Sequence, residues 1–423
     1  MNTHPVLDAL ALAGVKMGLE RMRAFMASMG NPHLAYPVIH VAGTNGKGSV
    51  CRMVAEMLGA QGYRVGVTTS PHLQDVNERI QVGGSLIDDA DLDALIAEVA
   101  AARDAWAAAE LGPVDGPPLT WFEFSIAMAF RYFAKEQVDI AVVEVGLGGR
   151  LDATNVCAPL LTSIVTIGLD HCDLLGPDHA HIAREKAGIL KPGVPAVVGA
   201  LSDEALTEVR AIAAARGVPV AVLGAEFDVA GSNEAFVYRD ARGELRELAV
   251  RLPGDHQRHN AAVAVALVRA LPAPWRVDAK AVRSGLRAAR NPGRIEWLAP
   301  DLLVDGAHNP DGAKVLATWL GSLPRDRRRT LVVGGGTDKD LRALVATLAP
   351  QFDHIVATAG SHPKARSAAD VAEQVQGLGV PVTEGGGLAD ALMGARADGG
   401  LVVVAGSLYL VGEVRGLLGV PSA

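Results

Sequence analysis

A short apolar, β-branched run that ends in glycines and one lysine leaves a chain few folds to choose from. Here the run is Val38-Ile39-His40-Val41-Ala42, and Gly43-Thr44-Asn45-Gly46-Lys47-Gly48-Ser49 follows it directly. The pattern reads as a buried strand entering a phosphate-holding turn. Glycines let backbone N–H groups converge on phosphate oxygens, the next helix offers its positive N-terminal end, and Lys47 adds a point charge. The spelling departs from the common phosphate loop, which has a glycine five residues before its Gly-Lys pair and a hydroxyl directly after the lysine. Val41 and Gly48 stand in those places, and the nearest hydroxyl is Ser49.

The chain has 423 residues, more than one core usually organises, so two domains are expected. Hydrophobic residues at 49% and charged residues at 20% suit a soluble, well-buried α/β protein. A net charge of −8 argues against a nucleic-acid backbone as the main partner, so an anionic substrate must meet a local basic patch. Three scattered cysteines, Cys51, Cys157 and Cys172, give neither a disulfide framework nor a zinc site and read as core residues of a protein from a reducing compartment. There is no basic segment followed by an apolar stretch at the start, and no apolar run approaches the ~20 residues of a membrane helix. The expected location is cytoplasmic, with no membrane partner.

Strand-like runs at 38–42, 65–68, 140–144, 161–167 and 196–198 alternate with helical spacing at 47–61, 90–107, 122–135 and 182–190. That alternation predicts a doubly wound parallel sheet covered on both faces, with ligands at strand C-terminal ends. Two long connections, 71–87 and 110–119, break the rhythm and read either as lids or as linkers. From 226 to 252 the pattern suggests a small polar meander, and 257–271 returns to helix. Arg290-Asn291-Pro292-Gly293 reads as a hinge. Beyond it, strands at 302–305, 330–333, 354–357, 380–382 and 401–405 alternate with helices, the first of them at 311–320. The expected fold is an α/β chain: a doubly wound, phosphate-loop ATPase-type domain over 1–291 and a smaller Rossmann-like domain over 292–423.

Glu144 ends an apolar strand and precedes Val145-Gly146-Leu147-Gly148-Gly149-Arg150. A carboxylate there either binds magnesium beside the phosphate loop or caps the turn. The run at 161–167 leads to Gly168-Leu169-Asp170-His171, which would bring His171 to the same sheet edge as Lys47 and Glu144. Lys186, in Ala183-Arg184-Glu185-Lys186-Ala187-Gly188, is by itself only a charged helix residue.

Taken in order, these segments resemble the bacterial dihydrofolate synthase/folylpolyglutamate synthase family of the Mur ligase superfamily. The resemblance rests on Met17-Gly18-Leu19-Glu20-Arg21, the 43–49 turn, Thr69-Ser70-Pro71-His72-Leu73 with Asn77-Glu78-Arg79-Ile80, residues 144–155, Leu169-Asp170-His171, residues 184–188, Pro292-Gly293-Arg294, Asp305-Gly306-Ala307-His308-Asn309-Pro310 and Gly406-Ser407-Leu408-Tyr409. It spans nearly the whole chain. It implies ATP-dependent amide formation between a pteroate or folate carboxylate and the amine of L-glutamate, through an acyl phosphate, by a protein that works as a monomer.

By position, the resemblance implies that Gly43, Thr44, Asn45, Gly46, Lys47, Gly48 and Ser49 hold the ATP phosphates, while Asn260 reads adenine, Arg294 reaches the phosphates and Asp305 takes the ribose. Read alone, the last three are a helix N-cap, a linker charge and a turn former. Ser70 and Glu144 would hold one magnesium, and His171 with Glu144 a second. Lys186 matches a carbamylated lysine whose new carboxylate supports that second ion. Lys47, Lys186, His171 and His308 make up the implied catalytic set. Thr120, Phe122 and Asp152 match positions that bind dihydropteroate. Lys16 stands where one bifunctional relative has an acid, and the basic residues His256, Arg258 and His259 beside Asn260 carry no specific reading. The rival readings are a folylpolyglutamate synthase without the dihydropteroate reaction and, from another class, a non-enzymatic ATP switch.

Overall fold

The computed structural model describes residues 4–11, 14, 16–109 and 119–422, so nearly all of the connection at 110–119 lies outside the described residues. The first sheet holds β1 (Val38–Ala42), β2 (Val65–Thr68), β3 (Ile80–Val82), β4 (Ser85–Leu86), β5 (Ile140–Glu144), β6 (Pro159–Ile164), β7 (Ala196–Val198) and β8 (Val220–Val222). Their order is β4-β3-β2-β5-β1-β6-β7-β8, and every pairing from β2 across to β8 is parallel. Ile39 and Val41 of β1 face a core shared with helices Lys47–Ala60 and His256–Ala270, while Val38 faces a second core under helix Trp121–Lys135. Both faces are therefore dry, as the unbroken apolar strands predict.

Residues 71–87 are neither a free lid nor a linker. They form a short 3-10 helix, Val76–Arg79, and then β3 and β4, which add antiparallel strands to the sheet edge. The cause is local: the buried Glu78 carboxylate accepts the N–H groups of Leu73, Gln74 and Asp75 at 2.7, 2.9 and 3.1 Å. The strand read at 161–167 leaves the sheet early. Past β6, Val165 N–H donates to Ala42 O and Thr166 O accepts from Thr44 N–H, both at 2.9 Å, which fastens this segment to the phosphate turn. The helix read at 182–190 spans His179–Ala187 instead, because Asp178 caps it by accepting from His181 N–H.

The meander is β9 (Phe227–Gly231), β10 (Phe236–Asp240) and β11 (Gly243–Leu248), antiparallel throughout. It buries Phe227, Phe236, Tyr238 and Leu248 in the core under helix His256–Ala270. The second sheet holds β12 (Glu296–Ala299), β13 (Leu302–Val304), β14 (Arg329–Val333), β15 (His354–Ala359), β16 (Val382–Gly387) and β17 (Leu401–Ala405), in the order β12-β13-β17-β14-β15-β16. All its pairings are parallel except β12 with β13. β16 begins where the apolar run read at 380–382 ends. Its glycines have little strand propensity, and pairing with β15 extends them. Among the described residues no helix is long and apolar enough to cross a membrane.

Candidate active site

The turn after β1 is held from two sides. Thr44 Oγ1 donates to Gly168 O at 3.1 Å and accepts from Gly168 N–H at 3.0 Å. Thr166 Oγ1 accepts from Asn45 N–H and donates to Asn45 O, each at 2.9 Å. Gly46 has φ of 83°, and a Cβ there would lie 2.7 Å from Asn260 Oδ1, so no other residue fits without strain. Asn260 is the fifth residue of helix His256–Ala270, not its cap, and its amide donates to Gln257 Oε1 at 3.0 Å.

Lys47 Nζ donates to Gly43 O at 3.0 Å and to Thr44 O at 3.2 Å, and it lies 4.0 Å from Glu144 Oε1. Glu144 is buried at the end of β5, and its Oε2 accepts from Ser70 N–H at 3.1 Å. Burial pushes the Glu144 carboxyl up, against the pull of Lys47, the Ser70 amide and Arg294. Lys186, on helix His179–Ala187, is also buried, and its Nζ reaches the same Gly43 carbonyl at 3.0 Å. Two ammonium groups thus converge on one oxygen. Burial, with Lys47 adding to it, takes the Lys186 amine from an ordinary 10.5 down to about 7.

The second sheet supplies the opposite wall. Asp305, just past β13, is buried and accepts Ile295 N–H and Ala307 N–H at 2.8 Å each. Burial raises its carboxyl, and Arg294 opposes that. Asn291 Nδ2 donates to Ser49 Oγ at 3.0 Å, and Asn45 and Asn309 exchange side-chain amide bonds at 3.2 and 3.3 Å. Asp170 collects Lys339 Nζ at 2.6 Å, Asn309 Nδ2 at 3.0 Å and His308 Nε2 at 3.4 Å. Its burial would raise the carboxyl, but His308 and Lys339 outweigh that and hold it well below the carboxylate range. His171, in the left-handed region at φ of 50°, has Nε2 3.0 Å from Lys339 Nζ.

On the far side of the phosphate turn, Thr120 caps helix Trp121–Lys135. Its Oγ1 accepts from Glu123 N–H at 3.2 Å, and the Glu123 carboxylate is gripped by Arg21 at 2.9 Å. Phe122 packs its ring tip against Gly146, where a Cβ would come within 2.3 Å of Cζ. Asp152 is buried; Oδ2 accepts from Leu147 N–H at 2.9 Å and Oδ1 from Thr154 N–H at 3.0 Å.

One cavity of about 420 Å³ touches every one of these predicted site residues, from Gly43 and Lys47 to Asp152, Lys186, Arg294 and His308. A second, of about 370 Å³, shares Pro71, His171, His308 and Leu408 with it and adds Lys339, Lys364, His362 and Tyr409. Among the described residues, no three His, Cys, Asp or Glu side chains form a group that could hold a metal ion unaided. The hard donors here, Glu144 and the Ser70 hydroxyl, suit an oxygen-seeking divalent ion that keeps waters or phosphate oxygens in its shell.

Residues 293–408 match the Mur ligase, glutamate ligase domain family. The chain is 34% identical over 418 residues to the dihydrofolate synthase/folylpolyglutamate synthase of Bacillus subtilis, covering 95% of each. The chain belongs to the dihydrofolate synthase/folylpolyglutamate synthase family. It is also 37% identical over 415 residues to a probable bifunctional folylpolyglutamate synthase/dihydropteroate synthase of Haloferax volcanii; it spans 48% of that protein's length, and 95% of the chain is matched. A Mycobacterium tuberculosis folylpolyglutamate synthase solved with ADP and AMPPCP superposes with a TM-score of 0.88 at 35% identity, covering 99% of each chain. A bifunctional family member solved with Mn, AMPPNP and L-glutamate gives 0.86 at 31% identity, covering 99% of this chain and 98% of that one. Nucleotide and divalent metal are therefore ligands of this family.

Lys339 is not singled out by the sequence, and Arg79 stands there only within the Asn77-Glu78-Arg79-Ile80 motif, with no role assigned to it. Lys339 follows Gly334-Gly335-Gly336 beyond β14, a strand-to-glycine turn like the one after β1, and that echo was the available signal. Arg79 is buried with its guanidinium 4.4 Å from the Trp121 ring centre, and its Nε donates to His72 Nδ1 at 2.8 Å. Burial brings it down to about 10. Nothing in its local spacing distinguishes it from a surface charge.

Proposed function

We propose that this protein is an ATP-dependent ligase that adds L-glutamate to dihydropteroate and to reduced folates. The observation that carries the reading is the convergence of Lys47 and Lys186 on the Gly43 carbonyl beside Glu144, with Asp152 and Phe122 on one side of the same cavity and Arg294 and Asp305 on the other.

A carboxylate is a poor electrophile. Its oxygen attacks the γ-phosphorus of ATP, ADP leaves, and the resulting acyl phosphate gives the carbonyl a good leaving group. The glutamate nitrogen then attacks that carbonyl and phosphate departs. The protein's task is to hold two anions together and keep water away. Gly43 to Ser49 are assigned to cradle the phosphates, with Lys47 as a point charge and Arg294 approaching from the second sheet; Asn260 and Asp305 are assigned to adenine and ribose. Phe122, Thr120 and Asp152 take the pterin, and Arg79 offers a buried cation to a carboxylate of the acceptor. Lys339 and Lys364 in the adjoining cavity suit the carboxylates of incoming glutamate. The attacking amine must shed a proton, and His308, its Nδ1 fixed 2.8 Å from Gly306 O, is assigned to receive it.

Ser70, Glu144 and His171 would hold divalent metal, two magnesium ions in this reading, which neutralises charge on the phosphate oxygens. A buried amine with a value of about 7 is about half unprotonated at neutral pH, and that free fraction is nucleophilic toward CO2, which supports Lys186 as a carbamate. The carbamate would supply the additional carboxylate that the site needs. Residues 1–291 and 292–423 serve as the two domains, a division supported by β12 starting at Glu296 and by the family match starting at 293. Both walls of the cavity come from one chain, which supports a monomer as the working unit.

The test is phosphate release with ATP, magnesium, glutamate and either acceptor. Release that depends on both acceptor and glutamate upholds the ligase. Turnover indifferent to both overturns it in favour of a nucleotide switch.

A further inference from the structure

β1 is apolar apart from a histidine at its centre. His40 is completely buried, and its side chain shares a face with Val38, which packs into the core under helix Trp121–Lys135. Its Nε2 lies 2.8 Å from Thr154 Oγ1, while its Nδ1 has no hydrogen-bond partner. Thr154 is equally buried, in the 3-10 turn Ala153–Val156, and its hydroxyl donates to Asp152 Oδ1.

The hydrogen inventory of this chain has one solution when Asp152 is ionised. A hydroxyl has a single hydrogen. With that hydrogen given to Asp152, Thr154 Oγ1 must accept from His40, so the proton of the neutral imidazole sits on Nε2 and the Nδ1 lone pair is left bare. Burying that lone pair unpaired is unfavourable, and an apolar side chain in β1 would avoid it. The arrangement makes sense if the Thr154 hydroxyl must not rotate away. A locked hydroxyl, with Thr154 N–H and Leu147 N–H, gives the Asp152 carboxylate three donors within the protein fabric. Burial raises the Asp152 carboxyl; these donors oppose that in favour of the ionised form, and they fix the plane of the carboxylate at the cavity wall.

We propose that His40 and Thr154 are positioning residues for the acyl acceptor: they hold Asp152 as an ionised, fixed hydrogen-bond acceptor for a heterocycle presenting two neighbouring N–H donors. This rests on the assignment of Asp152 to the acceptor made above. Neither residue lines the cavity, and their hydrogen-bonded route into it runs through Asp152, so the expected effect falls on acceptor binding.

Four variants test this: Thr154→Val, which keeps the shape and removes the hydroxyl; Thr154→Ser, which restores it; His40→Leu; and Asp152→Asn. The measurements are KM for dihydropteroate, ATP and glutamate, kcat, equilibrium binding of dihydropteroate without ATP, and thermal midpoint. Thr154→Val and His40→Leu should raise the dihydropteroate KM and Kd about tenfold, with ATP KM and kcat within about twofold, and Thr154→Ser should return to the parent values. An unchanged dihydropteroate KM and Kd in Thr154→Val, while Asp152→Asn raises both, would overturn the relay and leave the Asp152 assignment standing. Unchanged values in Asp152→Asn would overturn that assignment and the relay with it. A parallel rise in all three KM values for Thr154→Val at a lowered thermal midpoint would also overturn it, as the mark of general loosening.

Discussion

Lys186 is placed where an ammonium is least comfortable, buried and sharing an acceptor with Lys47. Its value falls from 10.5 unfolded to about 7 folded, so between those limits the unfolded chain binds more protons and stability rises with pH. Removing the amine should therefore stabilise the fold at pH 7 and do so less as pH nears 10. Lys186→Met should keep or raise the thermal midpoint at pH 7 while abolishing ligation. Near-normal ligation by Lys186→Met would rule out an essential carbamate. If the carbamate is real, the parent enzyme stripped of CO2 at pH 6 should lose activity and recover it with bicarbonate, more readily at pH 8, where the free amine predominates.

At the scale of elements, the turn after β1 concentrates function in a few backbone angles. Gly46→Ala forces a side chain into φ of 83° and against Asn260, so ATP affinity should fall at least about tenfold while acceptor binding without ATP is unchanged. Titration calorimetry with a non-hydrolysable ATP analogue reads this directly. The same element was the most legible part of the sequence, because a strand, a glycine turn and a lysine are local signals. β1, β2, β5, β7 and β17 also lie at their expected bounds, since buried parallel strands are unbroken apolar runs. Residues 71–87 were illegible as structure because the Glu78 clasp is a side-chain contact with no periodicity. β16 was displaced because pairing with β15, not local propensity, shapes its glycines. Asp305 and His308 could be named from their motif. The cluster of His308, Asn309 and Lys339 on Asp170 joins residues about 140 to 170 positions apart, which no spacing rule reaches.

That cluster matters at the scale of the whole molecule, because it ties the two sheets together across the cavity. Asp170 is held below its ordinary range, so its contribution is complete above about pH 4 and fades only as pH falls toward the depressed folded value. Asp170→Asn should cost about 2 kcal/mol at pH 7, measured by denaturant unfolding, with the difference shrinking in strong acid. In the proposed reading the two sheets also divide the chemistry: the first would hold the phosphates and the acceptor beside Glu144, and the second brings Arg294, Asp305, His308 and Lys339 to the same cavities. The central claim is that this shared cavity forms an amide. The most direct measurement is mass analysis of products after incubation with ATP, magnesium, L-glutamate and either dihydropteroate or tetrahydrofolate. The expected result is acceptor heavier by one glutamyl residue, with one phosphate released per amide formed. ATP hydrolysis without any gain in acceptor mass, from either acceptor, would contradict it.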